Sequence, residues 1–140
     1  SQSGYKRMKN IEAVGKIVWL MGQSKTHQAH DIADIHRVVL PPVALQQFRL
    51  WEHDGYPVGY MSWALFNEET EAGYLDGTRF IQPDDWAAGD RLWLVDFIAP
   101  FGGVREIVRE GRNHLRDIFG KGVIGNARRS QKGKTWFAVT

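Results

Sequence analysis

The spacing of apolar and polar positions divides the chain into distinct elements. Ile11, Val14, Ile17, Val18 and Met21 fall at i, i+3, i+6, i+7 and i+10, which predicts an amphipathic helix over 11–21 with Asn10 as its cap. Phe48–Glu52 and Val58–Phe66 read as two strands joined through Asp54-Gly55, a hairpin signal. Leu92 to Ala99 is an almost unbroken apolar run ended by Pro100, as in a central strand covered on both faces. Val104, Ile107, Val108, Leu115, Ile118 and Phe119 then make the stripe of a helix over 104–119, in spite of Gly111. Val123–Arg128 and Lys134–Thr140 read as two closing strands linked by 129–133.

The intervening stretches are weaker. Ser24 to His36 reads as a loop or short helical turn, and Pro41-Pro42 marks its segment as extended or edge-like. A short helix fits 67–74, 75–86 reads as a connector, and 83–90 as a turn with at most one helical turn. The sum is an α/β (α+β) chain with a mixed, mostly antiparallel sheet. One domain is expected over 10–140, with 1–9 a flexible or expression-derived start.

Composition narrows the chemistry. At 140 residues, with 43% apolar and 24% charged, the chain suits one globular core. With no cysteine, thiolate nucleophiles, thiolate metal sites and disulfides are excluded. No apolar run approaches the ~20 residues that span a bilayer and the start lacks a signal-peptide core, so a soluble, cytoplasmic protein without stable membrane insertion is expected. The net charge is only +2, but Lys and Arg gather between Arg105 and Lys134, a stretch able to face an acidic partner.

Asp96 is out of place. A carboxylate inside an apolar strand costs several kcal/mol to desolvate unless a cation or donors meet it, so a partner is required elsewhere, and histidine is the best-placed type. His27, His30 and His36 lie close together with Asp31 and Asp34, yet their spacing fits no zinc signature, and no metal is expected. Solvated loop side chains are the plainer reading for His30 and His36. Gly102-Gly103, between strand and helix, can offer N–H groups and a helix dipole to an anion, although such a turn also serves simply to fold a helix back.

Four stretches together carry a resemblance: Trp19-Leu-Met-Gly-Gln-Ser-Lys-Thr-His27, Tyr56-Pro-Val-Gly-Tyr-Met-Ser-Trp-Ala64, Asp85-Trp-Ala-Ala-Gly-Asp-Arg-Leu-Trp93 and Asp96-Phe-Ile-Ala-Pro-Phe-Gly102. In this order they resemble the toxin-activating lysine acyltransferases of haemolysin C type, across most of 10–140. The resemblance implies a GNAT-like acyltransferase fold and transfer of a fatty acyl group from acyl-acyl carrier protein to internal lysines of an RTX protoxin. It implies no bound cofactor, and it implies His27 and Asp96 as the catalytic pair. Acyl carrier protein and the protoxin are the expected partners, and a homodimer is compatible with this reading but not required by it.

The chemistry is coherent with that pair. A lysine amine attacking a thioester must shed a proton, and a neutral imidazole, with an ordinary pKa of about 6.5, is a suitable base. Asp96 then either sets the tautomer of His27 or orients the lysine, and the sequence leaves both open. Ser24 either caps a turn or hydrogen-bonds near the thioester, and a covalent acyl-enzyme on Ser24 or His27 is a competing route. Phe101, Gly102 and Gly103 are expected to meet the phosphopantetheine or the oxyanion, and Arg109 and Arg112, with Arg105, Arg116 and Lys121, to meet the acidic carrier.

Two other function classes compete with this reading. A GNAT-like enzyme using acyl-CoA on another amine would bind CoA saturably. A nucleic-acid binder would set aromatics among basic residues at the surface, whereas most tryptophans here sit in apolar strand patterns, so no nucleic acid is expected.

Overall fold

The computed structural model describes residues 2–128 and 134–138. The linker 129–133 and the last two residues, part of the expected closing hairpin, lie outside the described residues. Helix α1 runs Gln2–Gly22, well ahead of the expected cap, so Asn10 sits inside the helix. Nothing between Gln2 and Asn10 forbids a helix, and a half-buried interior Asn such as this one costs only ~0.7 kcal/mol or less in helix propensity.

After α1 the chain makes tight turns and enters α2 (Ile32–Val38). Asp31 and Asp34 form its capping box: the Asp34 N–H donates to Asp31 Oδ1 at 2.8 Å and the Asp31 N–H to Asp34 Oδ2 at 3.0 Å. These two carboxylates are therefore used as a helix cap. The Pro41-Pro42 segment corrects the expectation of extended chain, because it forms α3 (Leu40–Leu45) with the prolines in its first turn. There a helix has no N–H bond to lose, and proline's fixed φ is already helical.

Strands β1 (Phe48–His53) and β2 (Tyr56–Phe66) form the expected hairpin. Asp54 and Gly55 both have positive φ, 50° and 82°, as the tight two-residue turn requires. Asn67 caps α4 (Glu68–Asp76) by accepting the Thr70 N–H at 2.8 Å. A single 3-10 turn at Pro83–Asp85 precedes β3 (Arg91–Ile98), α5 (Val104–Phe119), β4 (Ile124–Arg128) and β5 (Lys134–Ala138).

The five strands lie in chain order, antiparallel except for the parallel pair β3 and β4, which α5 connects. Helices α1 to α4 cover one face, where Ile17, Leu20, Tyr60, Phe66, Trp86 and Trp93 are fully buried. Helix α5 covers the other, its Leu115 packing with Met61, Trp63 and Leu92. This is the mixed, mostly antiparallel sheet with flanking helices of a GNAT-like fold. Each large apolar side chain removed from water contributes about 1.5–3 kcal/mol, so the buried tryptophans belong to the core and not to a stacking surface.

Two glycines seat α5 on one side. A Cβ on Gly59 would stand 2.8 Å from Ile107 Cδ1, and one on Gly111 2.9 Å from Met61 Sδ. Gly111, a helix-weakening residue by propensity, is what allows this close approach.

Candidate active site

The β2–β3 ladder carries an irregularity, and it lies at the candidate site. Ser62 pairs with Asp96 but Trp63 pairs with Leu94, so Val95 is an extra residue in β3. Strict alternation would send Val95 and Asp96 to opposite faces. Instead Val95 packs with the α1 side of the core, and Asp96 meets His27, in the turns after α1, on that same side.

His27 Nε2 lies 3.1 Å from Asp96 Oδ1, and both side chains are about 15% exposed (14% and 15%). On the other ring edge Nδ1 lies 2.7 Å from Ser24 Oγ and 3.0 Å from Thr26 Oγ1. The turn that makes this possible is local: the His27 and Gln28 N–H groups both donate to the Ser24 carbonyl, folding Ser24 and His27 onto one side. A carboxylate can only accept, so Nε2 carries the proton and Nδ1 presents its lone pair to the hydroxyls. The result is a hydroxyl–imidazole–carboxylate array, with Nδ1 directed at Ser24 and Thr26 and Asp96 on the other ring edge.

These groups border a cleft of about 390 Å³ lined by Ser24, Lys25, Thr26, His27 and the strand end Phe97–Pro100. His30 stacks obliquely on His27 with ring centroids 5.7 Å apart. Thr26 and the Val95 bulge are the contributions that the sequence reading missed. Thr26, adjacent to His27 in the Ser-Lys-Thr-His run, was visible in principle, whereas the bulge is a property of two strands.

The other expected binding residues lie elsewhere. Phe101, Gly102 and Gly103 form the turn into α5, with Gly102 and Gly103 at φ 97° and 69°, and they border a second cleft with Glu52, Glu106 and Glu110. Its carboxylates disfavour an anion approaching from that side. Phe101 instead packs against exposed Trp19, which in turn meets Tyr56. Arg109 and Arg112 are exposed on α5 and share a face with Arg105 and Arg116, at i, i+4, i+7 and i+11. Glu106, Glu110 and Asp117 are each offset by one residue from an arginine, roughly 100° around the axis, so the outer surface of the helix is split into a basic and an acidic ridge.

Among the described residues no three His, Asp or Glu side chains converge as a metal site would need, and no helix is long and apolar enough to cross a membrane. Residues 6–138 match the family profile described as the RTX toxin acyltransferase family, HlyC. The chain is 36% identical over 114 residues to the RTX-I toxin-activating lysine-acyltransferase ApxIC of Actinobacillus pleuropneumoniae, covering 81% of this chain and 64% of that protein. It is 35% identical over 117 residues to the protein-lysine myristoyltransferase RtxC of Kingella kingae, covering 84% and 68%. With the protein-lysine myristoyltransferase HlyC of Escherichia coli it shares 38% identity over 94 residues, covering 67% and 54%. The chain thus spans about two thirds or less of the length of these relatives, and within that span it carries the family's pattern along nearly its whole extent. The chain belongs to the RTX toxin acyltransferase family.

Proposed function

We propose that the protein transfers a fatty acyl group from acyl-acyl carrier protein to internal lysine side chains of an RTX protoxin, in the cytoplasm. The observation that carries this reading is the His27–Asp96 contact at 3.1 Å with Ser24 on the opposite ring nitrogen at 2.7 Å, in a chain whose relatives are named lysine acyltransferases. The lysine amine enters the cleft beside His27 and attacks the thioester carbonyl. Its proton passes to Nδ1, directly or through the Ser24 hydroxyl, while Asp96 stabilises the imidazolium that forms. The amide bond forms, the C–S bond breaks, and the proton leaves with the carrier's thiol.

The carrier is acidic as a class, so the basic ridge Arg105, Arg109, Arg112 and Arg116 is its docking face, and Lys121 just beyond the helix extends it. The amides of the Phe101–Gly103 turn and the first turn of α5 receive the phosphate of the prosthetic arm from the arginine side, away from Glu106 and Glu110. No cofactor beyond the carrier's own arm is required.

The 2.7 Å Ser24–His27 contact favours a second reading, a covalent route in which Ser24 Oγ attacks the thioester first and the lysine then takes the acyl group from the ester. Intact mass spectrometry separates the two. Enzyme, acyl carrier protein and a toxin acceptor fragment should yield acylated acceptor, and His27→Ala should lower the rate by on the order of 10²- to 10⁴-fold while folding normally. Acyl-enzyme accumulating when acceptor is withheld would select the covalent route. Near wild-type transfer by folded His27→Ala would remove the base assignment.

A further inference from the structure

On the face of the sheet away from α1, between α5 and strands β2 to β4, lies a cavity of about 270 Å³. Its walls are Met61, Leu94, Phe97, Val108, Leu115 and Ala127, and its one charged neighbour is Arg112. The cause of the space is visible in how α5 is seated. Glycines 59 and 111 let the helix close tightly onto β1 and β2, with Ile107 against Gly59 and Gly111 against Met61 and Trp51. The cavity lies at the opposite flank of the helix, over β3 and β4. An apolar void forfeits dispersion contacts on all its walls, which is a standing cost unless something apolar fills it, and such cavities are natural hosts for hydrocarbon.

Two residues tie this space to the reaction. Phe97 borders both the cavity and the His27 cleft, which lie on opposite faces of the sheet, and β4 pairs with β3 only at Trp93 and Leu94, short of Phe97. Arg112 borders the cavity and also belongs to the basic ridge, so a ligand delivered along that ridge arrives at the opening. From Phe97 back to Leu94 the cavity follows the strand for about 10 Å at ~3.3 Å per residue, and Ala127, paired with Leu94, closes the far end.

We propose that this cavity holds the acyl chain of the thioester donor, entering past Phe97 and running toward Leu94 and Ala127, and that its depth selects long straight chains over short ones. The assignment rests on the acyl-transfer reading above. With the chain buried here and Phe97 at the junction, the thioester carbon stays on the His27 side, and Arg112 lays its aliphatic stem over the opening with its guanidinium toward the carrier.

The test uses the full chain in wild-type form, Ala127→Phe, which fills the far end, and Val108→Trp, which narrows the opening from a position 39% exposed and so tolerant of bulk. Each is given carrier protein loaded with butanoyl or tetradecanoyl groups plus toxin acceptor. Separately, each is titrated with tetradecanoyl-pantetheine amide against a bound fluorescent fatty acid. The expected result is a fall of roughly tenfold or more in the ratio of tetradecanoyl to butanoyl transfer, with matching loss of tetradecanoyl-pantetheine binding. An unchanged chain-length ratio in the folded variants overturns the cavity assignment while leaving acyl transfer intact. If the wild type transfers neither chain, the acyl-transfer reading fails, and the binding titration alone decides: weaker binding in the variants supports an apolar-chain site, and equal or absent binding overturns it. If Ala127→Phe does not fold, Val108→Trp decides by the same criteria.

Discussion

Ser62 and Asp96 face each other across β2 and β3, and one step along the ladder Trp63 faces Leu94, so Val95 has no partner of its own. That single unmatched residue brings a carboxylate of a buried strand to the α1 side, opposite His27. The buried Tyr60 hydroxyl shares this neighbourhood: burial, and then the charge of Asp96, push its pKa upward, so it remains a protonated hydroxyl at any working pH.

Asp96→Asn tests what the charge does. The substitution keeps the volume but removes the acceptor-only partner that fixes the proton on Nε2. Acyl transfer should fall by on the order of 10²-fold or more with the thermal midpoint little changed, measured as kcat/KM beside a melting curve. Carrier binding should persist. If Asp96 instead orients the lysine, the loss should appear mainly in KM for the acceptor.

Ser24 and Thr26 both reach Nδ1, at 2.7 and 3.0 Å, so either can hold the ring when the other is removed. In the direct mechanism Ser24→Ala should cost less than His27→Ala, and Ser24→Ala combined with Thr26→Ala should cost more than the sum of the single losses. In the covalent mechanism Ser24→Ala alone should match His27→Ala. Initial rates for the four variants distinguish these outcomes.

Charge reversal on α5 should depend on which ridge it strikes. Arg109→Glu with Arg112→Glu should weaken carrier binding and flatten its dependence on salt, whereas Glu110→Gln should leave that dependence as it is. Titration of carrier at two ionic strengths reads both. An unaltered salt dependence in the double arginine variant would remove the ridge as the docking face.

Glu71 is a buried acid that holds α4 to β3. Its carboxylate accepts from Arg91 Nη1 and from Trp93 Nε1, each at 2.7 Å. Glu71→Ala leaves a buried indole N–H and a guanidinium without this acceptor and should destabilise the fold by about 2–4 kcal/mol in chemical denaturation. Glu71→Gln, which keeps an acceptor, should cost less.

His114, on α5 against the Trp63 ring, has its pKa lowered by burial and then by the Arg49 charge. The unfolded chain therefore takes up this proton at a higher pH than the folded one does. Stability should be undiminished above the ordinary value of about 6.5 and should decline as pH drops from there through the lowered folded value. Denaturation midpoints across that range should decline less in His114→Gln.

Legibility varied with the kind of information involved. Asp96 announced itself because a charge inside Leu92–Ala99 violates a one-dimensional pattern; chemistry gave histidine as the type of its partner, and the family resemblance singled out His27. Helix α5 was legible over its full length, since its apolar spacing and the preceding Gly102-Gly103 agree. The bulge at Val95 was not legible, because register belongs to two strands and is set by packing on both faces. Pro41-Pro42 misled because proline's veto on regular structure lapses in the first turn of a helix. Asn10 misled because a capping residue is also tolerated inside a helix when nothing upstream ends it. The basic run on α5 was visible as a list of arginines, but the offset that sets glutamates beside them emerges only when the helix is viewed end on.

That offset turns α5 into a keyed shaft. A partner with a negative surface gains by lying along the arginine edge, and after a rotation of roughly 100° about the helix axis it meets carboxylates instead. Loose electrostatic attraction would tolerate any azimuth. A helix charged oppositely on adjacent edges accepts one bearing, which aims whatever arm the partner carries toward the same side of the sheet at each encounter.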